Sequence, residues 1–268
     1  MREGIINCSV LFVSCDKYTD VVRKNIELFD LHWPNCPLHK YCLAESTCFE
    51  GDVISLNCNS DKWTKRLLYA FDNIPTDYVL IILDDLWSEE TINGDCILEY
   101  LNEMIKDKNI ANIGFSHMPG CVAKKRVNNC LIRNRKPWSL VNFQVGLWNI
   151  ECLKTLLKEK ENPWDAEVLG SVRTRLYPKY EFYCLEDDKY TPYKYGKGWL
   201  VVRGKWNTPE VNRLQDKLQT KIDLGNRECD DFSGGIKLSF FERVKIHLRV
   251  WLYKIKIRTI VIFGGAHK

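Results

Sequence analysis

An α/β fold, with a Rossmann-like and mainly parallel sheet flanked by helices, is predicted by three features of the chain. Tyr78–Trp87, YVLIILDDLW, opens with six consecutive apolar residues, mostly β-branched or aromatic. A continuous apolar run of strand length marks a strand buried on both faces, as at the middle of a parallel sheet. Ile5–Ser14, IINCSVLFVS, has the same pattern, and a polar turn then leads into helical spacing over Val21–Phe29, the opening of a strand–helix–strand unit. Strand-like and helix-like stretches go on alternating through the chain, which predicts a three-layer arrangement.

Taken in order, Leu38–Leu43 and Asp52–Leu56 are expected as short strands after the loop Trp33–Pro37. Lys62–Ile74 is expected as an amphipathic helix feeding the central strand, Ile92–Lys106 as a helix and Asn109–Phe115 as a strand. His117–Lys136 is basic and irregular and is expected to be a loop over the site. Ser139–Trp148 reads as a strand ending in Gly146, and Ile150–Lys158 as a helix. Asn162–Thr174 reads as a helix with Pro163 at its first position, where a missing N–H costs nothing. Glu181–Lys205 is expected to hold short strands with glycine turns, and Pro209–Leu224 a helix.

From Gly234 the composition shifts. Ile236–Phe263 interleaves large apolar residues with Lys237, Arg243, Lys245, Arg249, Lys254, Lys256 and Arg258, against the single acid Glu242. Residues 1–232 are therefore expected to form the main α/β domain and residues 233–268 a basic amphipathic helical segment. Such a helix can lie in a membrane interface, where each basic residue near anionic lipid adds about 1 kcal/mol. It can equally dock on the domain with its basic side in water.

With 268 residues, 45% of them hydrophobic, the chain can bury a sizeable core. A net charge of +4 is too mild to call for nucleic acid as a partner. The twelve cysteines are scattered, with no Cys-x-x-Cys pair, so a zinc ribbon is not expected. Met1-Arg-Glu-Gly leads straight into a strand pattern rather than an export signal, and free thiols then fit a reducing cytoplasm. No apolar run approaches the roughly 20 residues that span a bilayer.

Asp84 and Asp85 follow the central strand at once and so sit at its carboxyl mouth, where open α/β sheets bind ligands. Hard cations such as Mg²⁺ and Mn²⁺ take carboxylate and phosphate oxygens. The pair can therefore hold a divalent metal against a diphosphate, or it can cap the next helix. Ser14-Cys15-Asp16-Lys17-Tyr18, after the first strand, suits a nucleotide: Tyr18 can stack on a base and Asp16 can accept from a ring N–H or a hydroxyl. That loop contains no glycine, which argues against a nucleotidyltransferase phosphate loop.

Together these pieces resemble a known family. SCDKYTD near the start, WPNCP, KWTKRLLYAFDNIPTDYVLIILDD, NFQVGLWN, ENPWDAEVLGS and VVRGKW run from about Ser9 to Trp206. Their order and wording resemble bacterial polysaccharide-biosynthesis glycosyltransferases of the glycosyltransferase A fold. The acidic motif here is Leu83-Asp84-Asp85, with leucine where a strict Asp-x-Asp has its first carboxylate.

The resemblance implies transfer of a sugar from a nucleotide-sugar, a UDP-sugar first of all, to a polyprenyl-diphosphate-linked glycan in surface polysaccharide synthesis such as capsule or O-antigen. It implies a cytoplasmic enzyme, peripheral on the inner face of the cell membrane. Asp85 with Asp84 would anchor Mn²⁺ or Mg²⁺ to neutralise the leaving diphosphate. Inverting transfer needs a base at the acceptor hydroxyl. Glu167 is the first candidate and Asp165 the second, beside Trp164 as an aromatic floor; both are also what a helix N-terminus favours. Ser14, Asp16, Tyr18, Trp63, Asp84, Gln144, Trp148, Arg203 and Lys205 are the expected nucleotide-sugar contacts. Gln144 and Trp148 flank Gly146, where a sugar ring could approach the backbone, and Trp138 is similar. His117 can be loop structure only, and the basic loop from Lys124 to Lys136 can meet a lipid diphosphate or simply be solvated. A non-catalytic nucleotide- or lipid-binding scaffold of a polysaccharide assembly complex is the alternative.

Overall fold

The structure, a computed structural model, describes residues 6–118, 120–134, 139–196, 198–232 and 240–263. Its centre is the stretch that the sequence marks. Strand β4 (Tyr78–Leu83) pairs in parallel with β1 (Cys8–Val13), Val13 lying opposite Leu83. Outward from β1 come β2 (His39–Ala44) and β3 (Val53–Asn57), also parallel. Helices α1 (Thr19–His32), α2 (Trp63–Asn73) and α3 (Gly94–Lys106) make the crossovers, with β5 (Ile110–His117) following α3.

Residues 120–134 overturn the expected loop. They form a hairpin, β6 (Cys121–Val127) and β7 (Cys130–Arg133), turning at Asn128 with φ 47°. β7 then joins the main sheet beside β9 (Glu181–Leu185). Cys130, Leu131 and Arg133 are buried, a stretch too short to mark a strand among the surrounding basic residues. The strand expected over Ser139–Trp148 is also shorter: only β8 (Gly146–Asn149) pairs, so Gly146 opens it rather than ends it. Leu140, Val141 and Phe143 are buried, but as an irregular segment under the sheet.

The nine strands run in the order β3-β2-β1-β4-β8-β5-β9-β7-β6. β8 is antiparallel to both β4 and β5, and β7 is antiparallel to both β9 and β6, so these two are the reversed strands in a mainly parallel sheet. The expected Rossmann-like α/β architecture is the one observed.

Side-chain alternation along β1 and β4 builds the two faces. Val10, Phe12, Leu80 and Ile82 pack with Val22 and Phe29 of α1 and Ile97 and Tyr100 of α3. Leu11, Val13, Val79 and Ile81 pack with Leu67 and Phe71 of α2 and with α4 (Ile150–Leu156). Each fully buried Val, Leu or Ile contributes about 1.5–3 kcal/mol, so the two faces together hold the sheet. A third cluster joins Val21 and Leu28 of α1 to Trp87, Trp206 and α6 (Thr208–Leu218). Trp206 lies in β11 (Lys205–Asn207) of a small sheet with β10 (Val201–Val202) and β12 (Cys229–Asp230). α6 stops at Leu218 because Gln219 turns left-handed, so Thr220–Leu224 is not helical as expected.

Gly146 is required by packing. A Cβ there would meet Ile113 O at 2.7 Å and Gly114 Cα at 3.0 Å across the β5–β8 pair. The close approach at this position is therefore strand on strand, not sugar on backbone. Gly146→Ala overpacks the middle of the sheet and is expected to cost about 1–3 kcal/mol, read as a lowered urea midpoint with an unchanged slope.

α5 (Pro163–Arg173) begins with Asn162 accepting from Asp165 N and with Pro163 in the first turn, as expected. α7 (Phe240–Phe263) lies against α5. Arg173 is buried, forks onto Glu161 at 2.7 and 2.6 Å, and donates to the Tyr253 hydroxyl of α7 at 2.9 Å. The expected division at residue 233 falls at the edge of the undescribed residues 233–239. Among the described residues no helix is long and apolar enough to cross a membrane. Cys121 and Cys184 form a disulfide, which corrects the expectation of free thiols throughout; Cys8, Cys42, Cys130 and Cys152 are free and buried, as small core residues are.

Candidate active site

The carboxyl ends of the parallel strands bring several predicted residues to one edge. Val13, Leu43 and Leu83 are level across β1, β2 and β4, so Ser14 and Asp84 emerge side by side, with Glu45 one residue beyond the end of β2. Ser14 Oγ donates to Asp84 Oδ2 at 2.9 Å. The turn carrying the acidic pair is clamped from behind: Asn25 Nδ2 donates to Leu83 O at 2.9 Å and to Asp84 O at 3.2 Å, and Trp87 Nε1 donates to Asp84 O at 2.9 Å. The next helix, α3, starts at Gly94 with Asn93 as its cap, so the pair does not cap it.

Asp85 differs from Asp84 in having nothing to bind. Among the described residues its carboxylate makes no hydrogen bond or ion pair to another residue. Burial raises both carboxyls above the ordinary range, and for Asp84 the neighbouring Asp85 charge raises it further. Two recessed carboxylates, one unpaired, are a donor set for a hard cation. No group of three or more His, Cys, Asp or Glu converges among the described residues. A cation held by Asp84 and Asp85 would take its other ligands from a diphosphate and water, as Mg²⁺ habitually does, so the residues fit the expected metal.

Asp16 is placed in the site but is committed to holding a loop. Its Oδ1 accepts from Ser46 N, Thr47 N and Thr47 Oγ1 at 3.0, 3.0 and 2.9 Å, and Oδ2 accepts from Ser46 Oγ at 2.6 Å. Those Ser46 and Thr47 donors hold its carboxyl well below the usual range. Oδ1 is filled, which corrects the role of free acceptor for a base; Oδ2 retains room for one donor. Because the folded carboxyl is depressed, its stabilisation is present above the unfolded value near 4 and lost as pH falls through the folded one. Asp16→Asn is expected to cost about 1.5–3 kcal/mol at neutral pH, and the gap from wild type is expected to close in acid-unfolding curves below about pH 4.

Three residues that sequence reading passed over complete this corner. Glu45 accepts from Asp16 N at 2.6 Å and pairs with the buried Arg66, which also donates to Ser60 O at 2.8 Å. Arg227 comes from the far end of the chain, its guanidinium 4.8 Å from the Tyr18 ring centroid and 5.7 Å from that of Trp206. It pairs with Asp20 and donates to Gly204 O at 2.9 Å and Lys17 O at 2.6 Å. Tyr18 therefore has a cation on its ring. A pocket of about 530 Å³ opens here, lined by Asp20, Arg203, Lys205, Arg227 and Glu228 among others. Arg203 and Gly204 form the β10–β11 turn, with φ 51° and 84°. Lys205 is spent on Glu228 at 2.9 Å and Asp230 at 3.7 Å, whereas Arg203 has no hydrogen bond or ion pair among the described residues.

On the other side, Trp63 sets its ring against Phe143, centroids 4.7 Å apart, with Leu83 packed in the same cluster. Phe143 N donates to Glu167 Oε1 at 2.8 Å. Burial raises the Glu167 carboxyl, and among the described residues its second oxygen accepts no hydrogen bond. Asp165 is tied up: Asn162 Nδ2 donates to it at 3.0 Å and Arg249 pairs with it at 2.8 Å. Trp164 is 73% exposed.

Gln144 Oε1 accepts from Ser116 Oγ at 2.8 Å and from Tyr195 OH at 3.3 Å at the same sheet edge. Trp148 is not at a surface: it is 0% exposed, between Phe143 and Phe182 in the core, because its position in β8 points it under the sheet. His117 is structural, donating its N–H to Asp188 and placing Nδ1 3.1 Å from Leu185 O. Lys125 pairs with Glu181 and Arg126 forks onto Glu186, so these two cations of the basic stretch serve the fold. Trp138 and Lys136 lie outside the described residues.

No protein-family profile matches the chain, and no curated protein matches it. Among solved structures it is similar to S. aureus TarS 1–349 in complex with UDP, at 12% identity and TM-score 0.48 over 94% of this chain and 80% of that one. It is similar to glucosyl-3-phosphoglycerate synthase from Mycobacterium tuberculosis in complex with phosphoglyceric acid, at 13% identity and TM-score 0.45 over 82% of each chain. A cytidylyltransferase from Leptospira borgpetersenii is matched at 10% identity and TM-score 0.42 over 92% of this chain and 96% of that one. In a further structure of TarS 1–349 the match spans 60% of that chain. These are likenesses of overall shape, and what the chain does rests on its own residues.

Proposed function

We propose that the chain is a glycosyltransferase that takes a sugar from a nucleotide-sugar, a UDP-sugar first of all. One observation carries this: a recessed pair of carboxylates, Asp85 unpaired, at the carboxyl mouth of the central strand, beside a Tyr18 ring already carrying the Arg227 cation. Asp85 and Asp84 would hold Mn²⁺ or Mg²⁺, which would supply positive charge to the leaving diphosphate. Ser14 keeps Asp84 oriented for that duty. Arg203, unpaired on its turn, lines the pocket beside Arg227 and in this reading meets phosphate oxygens.

Glu167 takes the proton from the acceptor hydroxyl, opposite the leaving group, so the transfer inverts the anomeric carbon. Its remaining hydrogen bond from Phe143 N holds the carboxylate still. The acceptor in this reading is a polyprenyl-diphosphate-linked glycan of surface polysaccharide synthesis, and the protein works as a peripheral protein at the inner face of the cell membrane.

Calorimetry with UDP, GDP and CDP, with and without Mn²⁺, tests the donor side. Metal-dependent binding of one nucleotide is the expected result. Absence of binding by all three sinks the transferase reading and leaves a scaffold without turnover.

A further inference from the structure

α7 has two unlike sides. Its inner side is built into the protein: Val250 and Ile257 are buried, and the Tyr253 hydroxyl accepts from the buried Arg173. Arg249 adds the ion pair to Asp165. The outer side carries Val244, Leu248, Trp251, Leu252 and Ile255, 42–57% exposed. Their spacing of four, three, one and three residues puts them on one stripe of a helix, opposite Val250 and Ile257. Isolated apolar residues on a surface need no explanation, but a contiguous stripe does.

The charges around the stripe select its occupant. Lys256 and Arg249 lie along one flank and Arg258 along the other, all exposed. From Val244 to Phe263 the chain contains no Asp or Glu. A second copy of the chain would bring the same cations face to face across a two-fold axis, which like-charge repulsion disfavours. A sheet of anionic head groups over an acyl layer satisfies both the stripe and its flanks.

We propose that α7 seats the protein on an anionic lipid surface through Val244, Leu248, Trp251, Leu252 and Ile255, with Lys256 and Arg258 meeting the head groups. The inner side then passes that seat on to the site. Arg249 and Tyr253 grip α5 at Asp165 and Arg173, and α5 carries Trp164 and Glu167. The bilayer thus sets the height of the exposed Trp164 ring above the lipid, where a lipid-linked sugar would be presented. This last step rests on the transferase reading; the lipid contact does not.

The test is flotation of the whole protein with phosphatidylcholine vesicles, with and without phosphatidylglycerol. Wild type is expected to float with the anionic vesicles and to be released by salt. Trp251→Ser with Leu252→Ser is expected to weaken this at least about tenfold, with an unchanged thermal midpoint because both side chains point outward. Lys256→Glu with Arg258→Glu is expected to abolish the preference for phosphatidylglycerol. Flotation that ignores the serine pair overturns the proposal, and so does wild type that stays in the soluble fraction with both vesicles. A concentration-dependent dimer that the serine pair dissolves also overturns it, in favour of a second copy. Nucleotide binding without flotation removes the lipid seat and leaves the transferase; flotation without nucleotide binding does the reverse.

Discussion

Asp85→Ala is expected to lower affinity for the preferred nucleotide diphosphate about a hundredfold in the presence of Mn²⁺ and to remove the difference that the metal makes. A carboxylate anchoring a divalent cation against a diphosphate accounts for several kcal/mol, and each 1.4 kcal/mol is a factor of ten. The substitution is clean because Asp85 bonds to no other residue among those described. Removing one of two close carboxylates also relieves their repulsion, so the unfolding midpoint is expected to hold or rise. Asp84→Ala is a poorer probe, since it also frees the Ser14 hydroxyl. Calorimetry with and without Mn²⁺ on wild type and Asp85→Ala is the check. Equal affinities with metal would strip the acidic pair of its role.

Glu167→Gln is expected to cut turnover by about 10²–10⁴ while nucleotide binding stays as in wild type. The glutamine carbonyl can still accept from Phe143 N, so the segment under the sheet keeps its anchor. Burial raises this carboxyl, which has two signatures. The rate in wild type is expected to fall as pH drops through a value above that of an ordinary glutamate, since the base must be ionised. Stability behaves in the opposite sense to Asp16: the folded protein holds the proton more tightly than the unfolded chain, so stability falls as pH rises through the raised value. Glu167→Gln, neutral at every pH, is therefore expected to be inactive yet slightly more stable at pH 7, the pattern of a residue kept for function at the expense of the fold. Turnover with a UDP-sugar and a thermal midpoint measured on one preparation decide it; a variant that is less stable and still active would assign Glu167 to structure.

How far such residues could be found from sequence depends on the range of the contacts that define them. β1, β4, α2, α3 and α5 were legible because burial on both faces, or on one stripe, writes its period directly into neighbouring residues. The acidic pair was legible because it abuts its strand. The β6–β7 hairpin was hidden, since Lys125 and Arg126 look like a solvated loop until Glu181 and Glu186 are brought beside them. Trp148 had the right chemistry, but its partners across the fold take it out of reach, and Asp16 is largely committed to Ser46 and Thr47. Arg227, in LGNRECDD, has no local signal at all: its meaning lies in Tyr18 and Asp20, more than two hundred residues earlier.

That last separation has a consequence for synthesis. A chain leaving the ribosome completes β1 and β4 early, and Asp85 emerges directly after them. Arg227 follows only after the intervening residues are made, on the order of ten seconds later at ribosomal speeds. Until then the Tyr18 turn lacks its cation and the small sheet of β10, β11 and β12 lacks its third strand. The corner that would receive a nucleotide is thus among the last parts of the chain to close, and a nascent chain halted before Arg227 carries the acidic pair without a finished pocket.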